Sequence, residues 1–315
     1  MNHSEQLYDL DHVVLSNGKI YRILGNLRNK DHFWGYNVYS PDSKGERVYH
    51  GKKYRKNFIE DEQQPYDVLE TYEVLPRSDI ALHLDPVQAA RQNSSSFRQT
   101  RWFDLYETLK DLFGEDGVGI FGSSMFNLHL TPEGQVRKDI DFVIDGIGNI
   151  EKLQIALPDI RHKLGFREVS ESRQLQQCQR YQKVFQNNHN TLPEIIKRRW
   201  SGLQLSAQIV STIRFRDKNL FLPFELVQNA VMLQKDIVVA GQVLSAKKSN
   251  LFPRTFTLDT EQGRYQVYIL WWKFSTPVYE HDCIHLCGDK ILLNGEEVIR
   301  MTNFHTHWLA FDSSM

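Results

Sequence analysis

Cysteine is scarce: Cys178, Cys283 and Cys287 are the whole complement of 315 residues. So low and odd a count excludes a disulfide framework as the source of stability and fits a reducing compartment. Long apolar runs are also missing. No stretch approaches the roughly 18 residues of a membrane helix, and the opening "MNHSEQLYDLDH" lacks the basic and apolar segments of a signal peptide. The expectation is a cytoplasmic protein with no membrane partner. Charge excess is absent too: 38 Lys and Arg against 39 Asp and Glu leave a net charge of −1. No global field draws the chain to nucleic acid, so a polyanion site has to be a local patch. What is present is core-forming material, 41% hydrophobic, enough over this length for two or three domains.

Three regions follow, at 1–75, 76–234 and 235–315, and together they predict an α+β, multidomain protein. Residues 8 to 75 hold short β-type runs cut by turn formers, with "SNGK" a hairpin signal and "PDSKG" a turn. This predicts a small β-rich N-terminal domain. In the second region, Asp85 before Pro86 marks a helix start, and Phe103, Tyr106, Leu109 and Phe113 recur at helical spacing up to Gly114, with an interruption at the serine triplet. "GVGIFGSS" and "KDIDFVIDG" read as strands, "NIEKLQIALPDIRHKLGF" as a helix broken near Pro158, the polar stretch to Trp200 as helix, and "LQLSAQIVSTIRF" as a strand. The last region has five β runs, the first interrupted at Gly241, which suits a small closed or partly open OB-like β-barrel.

The chemistry concentrates in "GIFGSSMFNLHLTPEGQVRKDIDFVIDG". Asp139 and Asp141 lie two apart on a predicted strand, so their carboxylates leave one face together. Two hard oxygen donors converging on one point suit Mg²⁺ or Mn²⁺, with phosphates and water completing the shell. Upstream, Gly122 lets backbone approach a phosphate, and Ser123 and Ser124 offer hydroxyl and N–H donors. Taken alone, each half is a common turn or cap. Their order, strand, bend, linker, strand, is more specific.

That order resembles the polymerase-beta-like nucleotidyltransferase superfamily, whose signature is a Gly-Ser turn followed by two aspartates flanking an apolar residue. Gly122 and Ser123 match the turn, and Asp139 and Asp141 the metal pair. The chain is also similar to predicted archaeal-type nucleotidyltransferases with a β-rich N-terminal module, in "GIFGSS", "KDIDFVIDG", "KRRWSG" and "NGKIYRILG". The resemblance implies a central nucleotidyltransferase-like α/β domain and Mg-dependent transfer of a nucleoside monophosphate from an NTP to an RNA, DNA or protein acceptor. Asp139 and Asp141 would be catalytic and metal-binding, and Gly122, Ser123 and Ser124 would hold the nucleotide. The linker between turn and aspartates is longer than usual. The superfamily's third carboxylate is missing from "LQLSAQIVSTIRF", with Asp217 and Glu225 just beyond it, and Asp145 lies about 13 Å from Asp141 along an extended strand. The alternative is a catalytically degenerate relative acting as a nucleic-acid-binding or assembly module.

Two stretches could hold a polymer. "YHGKKYRKNF" interleaves Lys52, Lys53, Arg55 and Lys56 with aromatics, and the C-terminal region carries Tyr265, Tyr268, Trp271 and Trp272. Alternation gives Tyr265 and Trp271 one parity and Tyr268 and Trp272 the other, so one set fills the barrel and the other, Tyr268 and Trp272, is free for contact. Charged edge strands and core aromatics are the ordinary explanations. Lys138, Arg198 and Arg199 are further cations for a triphosphate. "HDCIHLCGD" places His281, Cys283, His285 and Cys287 on one strand face about 7 Å apart per step, so at most a pair could join His305 or His307 around zinc.

Overall fold

A computed structural model describes residues 6–57, 67–129, 139–182, 192–271 and 277–312. These are mixed α+β and strand-rich, with a curled sheet and a closed five-stranded barrel. They fall into two units, one built from 1–58, 74–170 and 201–221, the other from 59–73, 171–200 and 222–315. The first unit therefore takes in both the N-terminal β region and the α/β region with the paired aspartates.

In the first unit, one sheet contains β1 (His12–Leu15), β2 (Ile20–Ile23), β3 (His32–Pro41), β4 (Arg47–Tyr49), β5 (Lys52–Lys56), β6 (Glu73–Pro76) and β7 (Ile80–Leu84). Their order is β4-β5-β3-β2-β1-β7, with β6 also on β3. The hairpin expected at "SNGK" forms between β1 and β2, and Gly18 supplies the left-handed corner at φ +84°. Val13, Leu15, Tyr21, Ile23 and Phe33 pack with Leu7 as one apolar cluster. Because side chains alternate, His12 and Arg22, partners across β1 and β2, leave the opposite face. They are buried as well, so that face is covered: Phe126 meets the His12 ring edge-on at 5.6 Å and Phe121 lies 5.3 Å from the Arg22 guanidinium.

Phe121 and Phe126 belong to the second sheet's bend. That sheet holds β8 (Val118–Phe121), β9 (Asp141–Asp145), β10 (Gly202–Gln204) and β11 (Val210–Arg216) in the order β10-β11-β9-β8, with β9 and β11 parallel and the other neighbours antiparallel. Helices Pro86–Asn93 and Arg101–Phe113 precede it, separated by a 3-10 turn over the serine triplet. Asp85 caps the first by accepting from the Val87 and Gln88 N–H groups.

Two local expectations change. The helix Asn149–Leu164 runs through Pro158 without a break. Proline inside a helix costs about 3 kcal/mol, but Ile150, Leu153, Leu157 and Ile160 bury a continuous stripe on both sides of it and hold the halves in line. "LQLSAQIVSTIRF" is a hairpin of β10 and β11 rather than one strand, because its polar centre, Ser206 to Gln208, turns out to solvent.

The second unit is dominated by β12 (Val231–Ser245), β13 (Arg254–Thr260), β14 (Gly263–Ile269), β15 (Cys283–Leu293), β16 (Glu296–Met301) and β17 (Trp308–Phe311). Pairing runs β12-β13-β14-β16-β15 and back to β12, closing a five-stranded barrel, with β14 and β16 the parallel pair and β17 added on β15. Val243, Phe256, Leu258, Val267, Ile291 and Ile299 are buried. Gly241 does not interrupt β12; a Cβ there would fall 2.1 Å from the Asp259 carbonyl oxygen, so glycine is what lets β13 come alongside. Among the described residues, no helix is long and apolar enough to cross a membrane.

Candidate metal and phosphate site

The antiparallel register of β8 and β9 sets Phe121 opposite Asp141, so the bend begins where the acid stands. Gly122 has φ +73°, a conformation that side chains disfavour. A Cβ on it would sit 3.7 Å from Arg22 Nη2 and 4.0 Å from Asp141 Oδ2. Bend, carboxylate and a guanidinium from the N-terminal sheet thus share one small volume. The two serines part ways. Ser124 is buried, and its hydroxyl donates to the Phe121 carbonyl at 2.9 Å, which commits it to shaping the turn. Ser123 is half-buried and lies near the Tyr39 hydroxyl from β3.

Asp139 stands just before β9 and Asp141 begins it. Asp141 Oδ1 accepts the Thr212 N–H at 3.0 Å, while Oδ2 faces the bend. Burial, and next the negative charge of Asp139, push the Asp141 carboxyl up to about 7; the Thr212 N–H, Arg22 and Arg214 pull the other way. The two acids are near enough to repel. A carboxylate destabilised by burial and by an acidic neighbour would be relieved by a divalent cation, so Asp141 with Asp139 fits Mg²⁺ or Mn²⁺. His12 lies alongside Arg22; its Nδ1 bonds the Leu10 carbonyl at 3.0 Å, and burial, reinforced by Arg22, holds it well below the usual imidazole range, hence neutral.

The third acid that the resemblance would call for is absent from the neighbouring strand. Parallel pairing matches Ile213 to Phe142, Arg214 to Val143 and Arg216 to Asp145, so Thr212, Arg214 and Arg216 share the face of Asp141. None of these is acidic. Asp217 lies one residue beyond, where its carboxylate accepts the Ile147 and Asn219 N–H groups at 3.2 and 2.9 Å. Glu225 is exposed in the second unit.

At the far end of β9, Asp145 has a different occupation that the sequence did not reveal. Arg216 is fully buried and bonds Asp145 through Nε, Asp11 through Nη1 at 2.7 Å and Asp85 through Nη2 at 2.8 Å. Lys218 adds contacts to Asp145 at 3.2 Å and Asp85 at 3.5 Å, and His83 Nε2 meets Asp11 at 2.8 Å. Four separate stretches of chain are tied by one guanidinium. The only hint was parity: Asp145 on the face of Asp141, and Arg216 two after Arg214. Asp9, beside this hub, is pushed up to about 7 by burial, against the Gly25 N–H and the charges of Arg22, Arg216 and Arg214.

The polymer-binding candidates are more dispersed. Lys52, Lys53 and Arg55 are exposed, and Lys56 half-buried, on β5. Tyr54 between them is buried, so Lys52 and Lys56 share its side while Lys53 and Arg55 leave the other, and Arg55 lies 3.7 Å from Asp42. The four cations form no single face. In the barrel, Tyr265 and Trp271 are buried, Trp271 stacking on Phe304 at 3.8 Å, and Tyr268 is half-buried with Glu296 close enough to raise it further after burial has done so. Trp272 and Lys138 lie outside the described residues. Arg198 is engaged by Asp282 at 2.7 Å and Glu194 at 2.9 Å and lies 3.7 Å from the Phe311 ring centre; Arg199 lies 5.3 Å from the ring of Tyr181.

The zinc reading resolves differently. Among the described residues, Asp236, Asp289 and His307 are the one set of three or more whose ligand atoms all lie within 4.8 Å of one another. His307 Nδ1 accepts the Thr302 and Asn303 N–H groups at 2.8 and 3.0 Å. A neutral imidazole has one proton, which must then sit on Nε2, 3.3 Å from Asp289 and 3.4 Å from Asp236. No lone pair is left there for a metal, and the group is a hydrogen-bonded node of the barrel. His285 pairs with Asp312 at 2.9 Å, and burial pushes the Cys287 thiol up to about 11.

No family model and no curated protein matches the chain. Among solved structures, the crystal structure of the tetrameric p202 HIN2 matches at 12% identity, over 35% of this chain and 61% of that one, with a TM-score of 0.21. The match thus spans less than two thirds of that chain, and a superposition this loose establishes no common fold.

Proposed function

We propose that the first unit is a nucleotidyltransferase that uses Mg²⁺ or Mn²⁺ to transfer a nucleoside monophosphate from an NTP, and that the barrel of the second unit is an OB-like module that helps recruit a nucleic-acid acceptor. The observation carrying the reading is the 4.0 Å between Asp141 Oδ2 and the place where Gly122 has no Cβ. A phosphate approaching the bend through that gap would arrive beside the metal pair. The order of helix, β8, bend, β9, helix and parallel β11 supports the same reading. A bound divalent ion would supply charge neutralisation between the attacking and leaving oxygens. Asp139 and Asp141 would hold it, and Arg22 would hold phosphate oxygens through a guanidinium already fixed over Phe121 and Tyr36. Balanced charge, scarce cysteine and a barrel with the pairing order of an OB fold fit a cytoplasmic protein acting on a polymer.

One observation favours a second reading. Thr212 and Arg214 stand where a third carboxylate would complete the site, which is what a binding module descended from an enzyme would show. The two separate in one experiment: the protein is incubated with each α-labelled NTP, Mg²⁺ or Mn²⁺ and pooled RNA, single-stranded DNA or protein. Transfer that disappears in the Asp139→Asn/Asp141→Asn variant supports the enzyme. Polymer binding that survives in that variant, without transfer in either protein, supports the module.

A further inference from the structure

The position that lacks an acid is filled by a cation, and that exchange bears on the acceptor. On the Asp141 face, β11 presents Thr212 level with Asp141 and Arg214 one step further, level with Val143. Arg214 is half-buried and acts electrostatically on both Asp141 and Asp9, so its charge is felt inside the site. Arg22 approaches from the N-terminal sheet, with Nη2 at 3.7 Å from the missing Cβ of Gly122. Asp141 and Arg22 therefore stand at the bend, and Arg214 lies one step along the same sheet face.

A hydroxyl nucleophile has to lose a proton as it attacks, and the β11 face offers no carboxylate to take it. A phosphate monoester is different. Its second pKa is about 6, so at neutral pH its oxygen is already ionised, and a guanidinium pairs with phosphate bidentately. Resting on the nucleotidyltransferase reading above, we propose that the acceptor is a phosphate monoester, bound by Arg214, and that the product is a phosphoanhydride. An acceptor phosphate oxygen attacks the α-phosphorus of the NTP; the new P–O bond forms as the α–β bridging bond breaks, and its electron pair departs on pyrophosphate. No proton moves. The supply of such an acceptor calls for a kinase or a nuclease that leaves a phosphate end.

The test uses the full chain with α-labelled NTPs and Mg²⁺. Acceptors are RNA and DNA oligonucleotides of one sequence ending in hydroxyls or in a 5′-phosphate, and a nucleoside monophosphate as the small counterpart. The expected result is label on the phosphate-bearing acceptors only, resistant to phosphatase and released by an enzyme that opens phosphoanhydrides. Comparison of the oligonucleotide and mononucleotide arms tells whether the monoester belongs to a polymer. A second readout is independent of turnover: fluorescence anisotropy with a non-hydrolysable triphosphate and Mg²⁺ should show the 5′-phosphate strand binding at least about tenfold tighter than the hydroxyl strand, a gap of about 1.4 kcal/mol. Arg214→Ala should erase that gap while triphosphate binding and the circular dichroism spectrum persist. Label on hydroxyl ends or on protein, or equal binding of the two strands, overturns the proposal and leaves nucleotidyl transfer standing. Absence of both triphosphate binding and transfer removes the underlying reading, and the proposal with it.

Discussion

The two ends of β9 carry the same residue on the same face of one sheet, yet Asp141 and Asp145 live in opposite circumstances. Asp145 meets Arg216 and Lys218, both of which also pair with Asp85. Asp141 meets a single backbone N–H and the like charge of Asp139, with Arg22 and Arg214 acting only at longer range. Burial alone does not separate a carboxylate that the fold neutralises from one that it leaves destabilised. The nearest charged group does: an opposite charge spends the carboxylate on the fold, and a like charge leaves it short of a cation.

The largest effect is expected at the satisfied end. Arg216→Leu leaves Asp11, Asp85 and Asp145 in place around an apolar side chain and should cost about 3–5 kcal/mol, read as a fall in the urea midpoint or as insolubility. Unchanged stability would show that this end is no better neutralised than the other. At the unsatisfied end the sign reverses. The Asp141 carboxyl is raised to about 7, so the native state holds a proton that the unfolded chain, titrating near 3.8, releases. The resulting penalty is absent below about pH 4, grows as pH rises through this window and is complete above 7. Asp141→Asn should therefore stabilise the protein at pH 8. A carboxyl raised this far corresponds to a penalty of about 4 kcal/mol, reduced to about 2 because the residue is partly exposed, and urea unfolding should show the gain fading by pH 4. The smallest effect belongs to Asp139→Asn. It removes a repulsive neighbour of Asp141 and should add less than about 1 kcal/mol at pH 8. Millimolar Mn²⁺ should raise the Tm of the parent by the equivalent of about 1–3 kcal/mol at ten to a hundred times Kd, and in this variant that rise should be lost. A retained Mn²⁺ response would place the ion elsewhere.

What the sequence made legible was local. Hairpin chemistry at Ser16–Lys19, alternation in the C-terminal strands and the strand-bend-strand order around Gly122 are written in neighbouring residues, and each appears where expected. Pattern alone misplaces the Pro158 and Ser206–Gln208 regions, because a local breaker or a local apolar average carries no information about the packing that overrides it. The Arg216 hub was out of reach altogether, since Asp11, Asp85, Asp145 and Arg216 come from four distant stretches and none is unusual in its own neighbourhood. Arg22 escaped for the same reason. A period-two pattern shows that it leaves the opposite face from Tyr21 but not what lies there. The lack of an acid in "LQLSAQIVSTIRF", by contrast, was visible in the residues, and the register shows what shares the Asp141 face there instead, Thr212, Arg214 and Arg216.

The seating of Phe121 and Phe126 against Arg22 and His12 has a consequence for how this molecule can be divided. The aspartate-bearing segment is not a transplantable cassette. A fragment starting at residue 76 would present two naked aromatic rings to water and forfeit a guanidinium beside its glycine corner, so inheritance, recombination or engineering has to carry both stretches together.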